Sequence, residues 1–148
     1  MLALIVIFFL LLIDFKNVKL ALITLIPLVF GVLWMVGLMS LFGMKINILN
    51  AIGLPLILGM GVDTGVHVIH RYRIEGPGRI KTVFSTTGKA VLISSLTSFL
   101  AFGSLGFADY RGLASLGITL AIGIATCWLA TVTILPAILS YIDDKKLK

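Results

Sequence analysis

The sequence predicts an all-α, polytopic transmembrane helix bundle. Hydrophobic residues make up 59% of the chain and charged residues only 12%. The apolar residues also gather into five runs separated by short polar connections. A soluble domain of 148 residues needs far more polar surface than this. A bilayer core about 30 Å thick takes about 20 apolar residues per helix. Five such runs use up almost the whole chain and leave no room for a soluble catalytic domain.

The first run, 2–13, is apolar but covers only about 18 Å as a helix, too short for a crossing. No basic stretch precedes it and no small-residue cleavage site follows, so it reads as the end of a helix rather than a signal peptide. The second, 20–42, contains Pro27, which membrane helices tolerate. A turn over Gly43 to Asn47 leads into the third, 48–70, where Pro55 predicts a kink beginning near Ala51. Asn47 and Asn50 read as turn and cap residues. The polar stretch 71–87 is expected to be a loop, broken at Gly76-Pro77-Gly78, with Arg79 to Thr86 lying on the membrane surface. The fourth run is 88–107 and the fifth 113–141, followed by a charged tail.

Nine of the twelve Lys and Arg residues fall in the first loop, the 71–87 loop and the tail, and Lys89 stands just inside the fourth run beside them, so ten lie on one side of the membrane. Only Lys45 and Arg111 fall on the other. The positive-inside rule then puts the 71–87 loop and the C-terminus in the cytoplasm. The net charge of +6 follows the loops, which argues against a nucleic-acid partner and leaves the lipid bilayer as the surrounding phase. The single cysteine, Cys127, lies in an apolar run and reads as a small packing residue.

Asp63 stands eight residues before Arg71, about 12 Å inside the third segment. An ionised carboxylate at such depth costs at least ~2.5 kcal/mol on insertion scales. Asp63 is therefore neutral, paired or facing a wet cavity. A proton relay exploits that penalty, because a change of surroundings switches the acid between its two states. The competing reading is a permanently protonated Asp that joins two helices by a hydrogen bond.

His67 and His70 follow on the same helical face, and for His67 a proton path and a plain interfacial position are both open. His70, beside Arg71, reads as interfacial. No further ligand accompanies these three, so no metal site is expected. Gly61 and Gly65 have small-residue spacing, and Gly59 clears space one turn before the acid, so another helix is expected to pack closely around Asp63. Thr64 lies beside the acid. In the fourth segment Ser94, Ser95, Thr97 and Ser98 are candidate polar partners for it, unless they bond back to their own helix. Thr119, Thr126, Thr131 and Thr133 read as packing residues. No nucleophile elbow, phosphate loop or paired-Cys motif occurs, so neither an enzyme nor a cofactor is expected.

The run GLPLILGMGVDTGVHVIHRYR, Gly53 to Arg73, resembles the acid-bearing helix of the RND superfamily, most closely its MMPL-type and hopanoid-associated branch. Asp14 to Trp34, Ala108 to Ile124 and Leu135-Pro136-Ala137 are similar to flanking parts of the same family. The resemblance covers nearly the whole chain and implies the last five of twelve transporter helices. It implies a proton-driven exporter of lipids or hydrophobic compounds in a bacterial-type inner membrane, with Asp63 as relay acid. It also implies that the N-terminal half, or a second subunit, is a required partner and that this portion is inactive alone. A related lipid- or sterol-sensing bundle and a protein-export subunit are the alternatives within the same fold.

Overall fold

The computed structural model of the protein describes residues 2–44 and 47–146. Lys45 and Lys148, and the side chains of Lys145 and Lys146, lie outside the described residues. The described chain is helical throughout, without strands: α1 (Leu2–Phe15), α2 (Val18–Leu41), α3 (Ile48–Glu75), α4 (Ile80–Ser104) and α5 (Arg111–Lys146). A 3₁₀ turn, Leu105–Phe107, continues α4. Helices α2 to α5 are long and apolar enough to cross a membrane, whereas α1 is shorter.

Local chemistry sets the breaks. Between α1 and α2, Lys16 takes a left-handed φ of 50° and Asn17 is extended. The Asn17 side chain then accepts from the Lys19 N–H at 3.0 Å, capping α2. Asn47 caps α3 in the same way, accepting from the Asn50 N–H at 2.8 Å. Pro27, Pro55 and Pro136 all lie inside continuous helices.

The expected loop 71–87 shrinks to Gly76–Arg79. Helix α3 runs five residues past His70, and α4 begins at Ile80, so the segment expected to lie on the surface forms the first turns of α4. Two interactions account for this. Arg71 and Glu75 pair at 2.6 Å one turn apart, which supports the end of α3. Asp143, buried near the end of α5, accepts from the Tyr72 hydroxyl and, at 2.8 Å, from the Gly78 N–H. Gly76 and Gly78 have φ of 84° and 81°, a region that glycine enters without strain.

Helix α5 is the hub, packed against α2, α3 and α4. Just over half of its most apolar stretch is buried (56%), against 6% for α4. The packing divides into two clusters. One joins all five helices around Phe15, Ile69, Val83 and Leu139. The other joins α2, α3 and α5 around Leu28, Met35, Ile57, Leu120 and Cys127. In the second, a Cβ placed on Gly31 would sit 2.7 Å from the Cys127 Cα, and one on Gly61 would sit 3.0 Å from its Sγ. Two neighbouring helices thus approach α5 at one residue, the kind of contact that small side chains allow in a membrane.

At the other end of the bundle the Ser115 hydroxyl donates to Asn50 Oδ1 at 3.1 Å, joining α5 to α3. Asn50 is therefore an interhelical tie as well as a first-turn residue. The large apolar side chains left outside these contacts, among them Phe9, Leu33, Ile93 and Leu100, face outward as a lipid-facing surface.

Gly31→Leu should destabilise the bundle by about 1–3 kcal/mol, because the obstructing atom is backbone and cannot step aside. Gly59→Ala, where nothing lies within 4 Å, should raise stability by up to about 1 kcal/mol, because alanine loses less backbone entropy in a helix. Thermal unfolding of the two variants in one detergent checks both. Asp143→Ala strands the Tyr72 hydroxyl and the Gly78 N–H, and should cost about 2 kcal/mol or more in the same assay.

Candidate functional site

Asp63 opens onto a cavity of about 470 Å³ formed by one face each of α3, α4 and α5. Helix α3 contributes Met60, Gly61, Asp63, Thr64, His67 and Arg71. The antiparallel α4 contributes Thr86, Thr87, Ala90, Val91, Ser94, Ser95 and Ser98. Ile124 and Cys127 of α5 close the back. Residues one turn apart on α3 face residues one turn apart on α4, giving a ladder from Arg71 and Thr87 at one end to Met60 and Ser98 at the other.

The Asp63 Oδ1 lies 3.4 Å from the His67 Nε2, one turn further along α3. Both side chains are open, Asp63 to 67% and His67 to 62%. The acid is therefore not enclosed by the helices described. Gly61 and Gly65 bring neighbouring helices close, and the contacts described leave Asp63 itself open. Gly61 meets Leu28 and Cys127 at the back of the cavity, and Gly65 meets Thr24. The small residues press α3 onto α2 and α5, and Asp63 is left open beside that contact. Gly59 meets nothing within 4 Å and packs against no described helix.

The hydroxyls separate into two groups. Thr24, Thr97, Thr119, Thr126, Thr131 and Thr133 each donate to a carbonyl of their own helix at 2.8–3.0 Å, the usual arrangement in a membrane segment. Thr64 does the same with Met60 at 3.3 Å and Thr86 with Thr82 at 2.8 Å. Ser94, Ser95, Ser98 and Thr87 have no partner among the described residues, and all four line the cavity. The unused hydrogen-bonding capacity of α4 is thus concentrated opposite the acid. Thr97, expected beside them, is off the cavity: it lies about 60° round from Ser94 and donates to the Ile93 carbonyl.

His70 leaves the stripe. Its Nε2 lies 2.7 Å from Asp14 Oδ2 at the end of α1, and its ring packs 5.1 Å from that of Phe15. Asp14 carries no motif of its own, which is why this pairing was invisible before the helices were assembled. At the cavity's polar end Arg71 is bound to Glu75, which also lies 3.8 Å from Arg79, so the cation at the mouth is balanced. The Arg71 Nε is buried without a partner. Arg71 and Thr87 were findable by periodicity, since Arg71 is one turn beyond His67 and Thr87 two turns before Ser94. No group of three or more metal-binding side chains occurs among the described residues.

Chemically, the site offers one ionisable acid, an imidazole within reach of it, and four free hydroxyls facing both across an open space. That set can hold water and pass a proton along the ladder. It holds no nucleophile activated by a base.

The chain is similar to membrane protein MJ1562 of Methanocaldococcus jannaschii, with 33% identity over 87% of this chain and 35% of that protein. It is similar to the hopanoid transporter HpnN of Rhodopseudomonas palustris, with 31% identity over 96% of this chain and 16% of the transporter. Human protein dispatched homolog 3 shares 32% identity over 66% of this chain and 8% of its own length. The chain thus spans about a third of the archaeal relative and about a sixth of the hopanoid transporter. No solved structure matches. Residues 1–147 match the MMPL family in one continuous stretch, and with relatives above 30% identity along most of its length the chain is a membrane protein of the MMPL transporter family.

Proposed function

We propose that the chain is the acid-bearing part of the membrane domain of a proton-driven exporter of lipids or other hydrophobic compounds, with Asp63 as its proton relay. The observation that carries this reading is the coincidence of an open acid with the free hydroxyls of α4 in one cavity. An acid held permanently protonated as helix glue would have a partner on a neighbouring helix, and among the described residues Asp63 has only His67 of its own helix.

The route follows from the ladder. Water held by Ser94, Ser95 and Ser98 supplies a polar surrounding in which Asp63 ionises. Removing that water, or covering the acid with an apolar surface, favours the neutral form. His67 accepts the proton released by Asp63 and passes it toward the mouth at Arg71, Thr86 and Thr87. The balanced charge of Arg71 lowers the barrier to a proton arriving there. With ten of twelve basic residues on the side of the α3–α4 turn, this mouth faces the cytoplasm and the C-terminus lies with it. A bacterial-type inner membrane fits that orientation.

The exposure of Asp63 supports a covering partner, either the N-terminal half of a longer transporter or a second subunit. Transport then belongs to that assembly and not to this portion alone. A lipid substrate is supported by the similarity to a protein named as a hopanoid transporter.

In the complete transporter Asp63→Asn should abolish export driven by a proton gradient while membrane insertion is unchanged. Full export by that variant would refute the relay. The wetness of the cavity is tested separately in a Cys127→Ala background. Ser94→Cys should react with a membrane-impermeant maleimide at least about tenfold faster than Ile93→Cys, which faces lipid. Equal rates would mean that the cavity is dry.

A further inference from the structure

The back wall of the Asp63 cavity is thin. Ser95 and Ile124 line it and also line a second space of about 230 Å³ on the outer side of the α4–α5 seam. That second space is a groove of opposite character. Leu92, Leu96 and Phe99 of α4 and Ala125, Trp128 and Leu129 of α5 form it, and Ser95 is its single hydroxyl side chain. A polar chamber and an apolar groove therefore share one wall, made of an unspent serine hydroxyl and an isoleucine.

We propose that the α4–α5 seam binds an uncharged, hydroxyl-bearing lipid, its head entering the Asp63 cavity past Ser95 and its apolar body lying along Leu96, Phe99 and Trp128. The proposal deepens the exporter reading and rests on it. Its occupant follows from the two linings. The groove offers aromatic and aliphatic surface, which suits a hydrocarbon body and no polar group. The chamber offers hydroxyls that both donate and accept, which suits an alcohol head. A negative head is disfavoured, because the ionised form of Asp63 would repel it at close range. The one cation at the chamber, Arg71, is already bound to Glu75. Helix α4 itself buries only Val83 and Val91, so a lipid parting the seam at Ser95 displaces little packed surface.

Trp128 reports on the groove directly. The chain has two tryptophans, and Trp34→Phe leaves Trp128 as the sole tryptophan, excited apart from the tyrosines at the red edge. In nanodiscs, a monoacylglycerol brominated along its tail should quench Trp128 saturably. Ser95→Ala should weaken that binding by about 2- to 10-fold, the range expected for one lost hydrogen bond. Ile93→Ala, on the lipid-facing side and outside both spaces, should leave it unchanged. Quenching that rises linearly with the fraction of probe, like that by any bulk lipid, would overturn the site. So would binding indifferent to Ser95→Ala. Tighter binding of the brominated fatty-acid anion would overturn the uncharged head. No proton gradient enters the measurement. Absent saturable binding alongside Asp63-dependent export would remove this site and leave the relay standing. Saturable binding alongside export indifferent to Asp63→Asn would do the reverse.

Discussion

The bundle is organised around Cys127. At that level Gly31 of α2 and Gly61 of α3 both come within contact of α5, and any larger side chain at either glycine would meet backbone or sulfur. In a membrane there is little hydrophobic gain from burying one apolar helix against another, so close approach of backbones must supply the association. The same contact orients α3. With Gly61 and Gly65 held against α5 and α2, Asp63 is left open on the cavity between α3 and α4. The direction in which the acid points is thus a consequence of where the glycines are.

A second constraint is the cost of a carboxyl group among hydrocarbon. The described helices answer it only in part. They set His67 beside the acid and range four unbonded hydroxyls across from it, but they leave the acid's outer side uncovered. The threonines elsewhere in α2, α4 and α5 satisfy themselves on their own helix carbonyls and ask nothing of their neighbours. Thr64 and Thr86 on the cavity do the same, but Thr87, Ser94, Ser95 and Ser98 beside them do not. The polar groups of this chain therefore fall into those that are finished within a helix and those that require another occupant, whether water, a lipid head or a further surface.

Much of this was legible in the sequence. Hydropathy marked the helices, because apolar runs of this length have few other fates, and the depth of Asp63 followed from counting to Arg71. Ser94, Ser95 and Ser98 could be suspected as its neighbours because hydroxyls crowd there. What could not be read was which way each helix is rotated. Small-residue spacing says that a helix packs closely but not on which side, and the contacts of Gly61 and Gly65 leave Asp63 open. Thr97 takes the other course open to it and bonds to its own helix, since adjacency in sequence spreads residues around a helix. The 71–87 stretch looked like a loop because its polarity hid two helix ends, closed by a partner, Asp143, that lies 65 residues beyond Gly78. Asp14 and His70 are farther from prediction still, for only the assembled bundle brings α1 to α3.

Helix α4 has one mechanical property that follows from its contacts. Its first turn is anchored through the buried Val83 and through the Asp143 clasp on the preceding turn. Its last turn is wedged against Gly117 of α5, where an added Cβ would come within 2.6 Å of the Phe102 carbonyl oxygen. Between these ends only Val91 is buried. A rod clamped at both ends and lightly supported between them would bend most easily in the middle. The middle of α4 is where Ser94, Ser95 and Ser98 stand, so flexing there would widen or narrow the space beside Asp63 while both turns stayed in place.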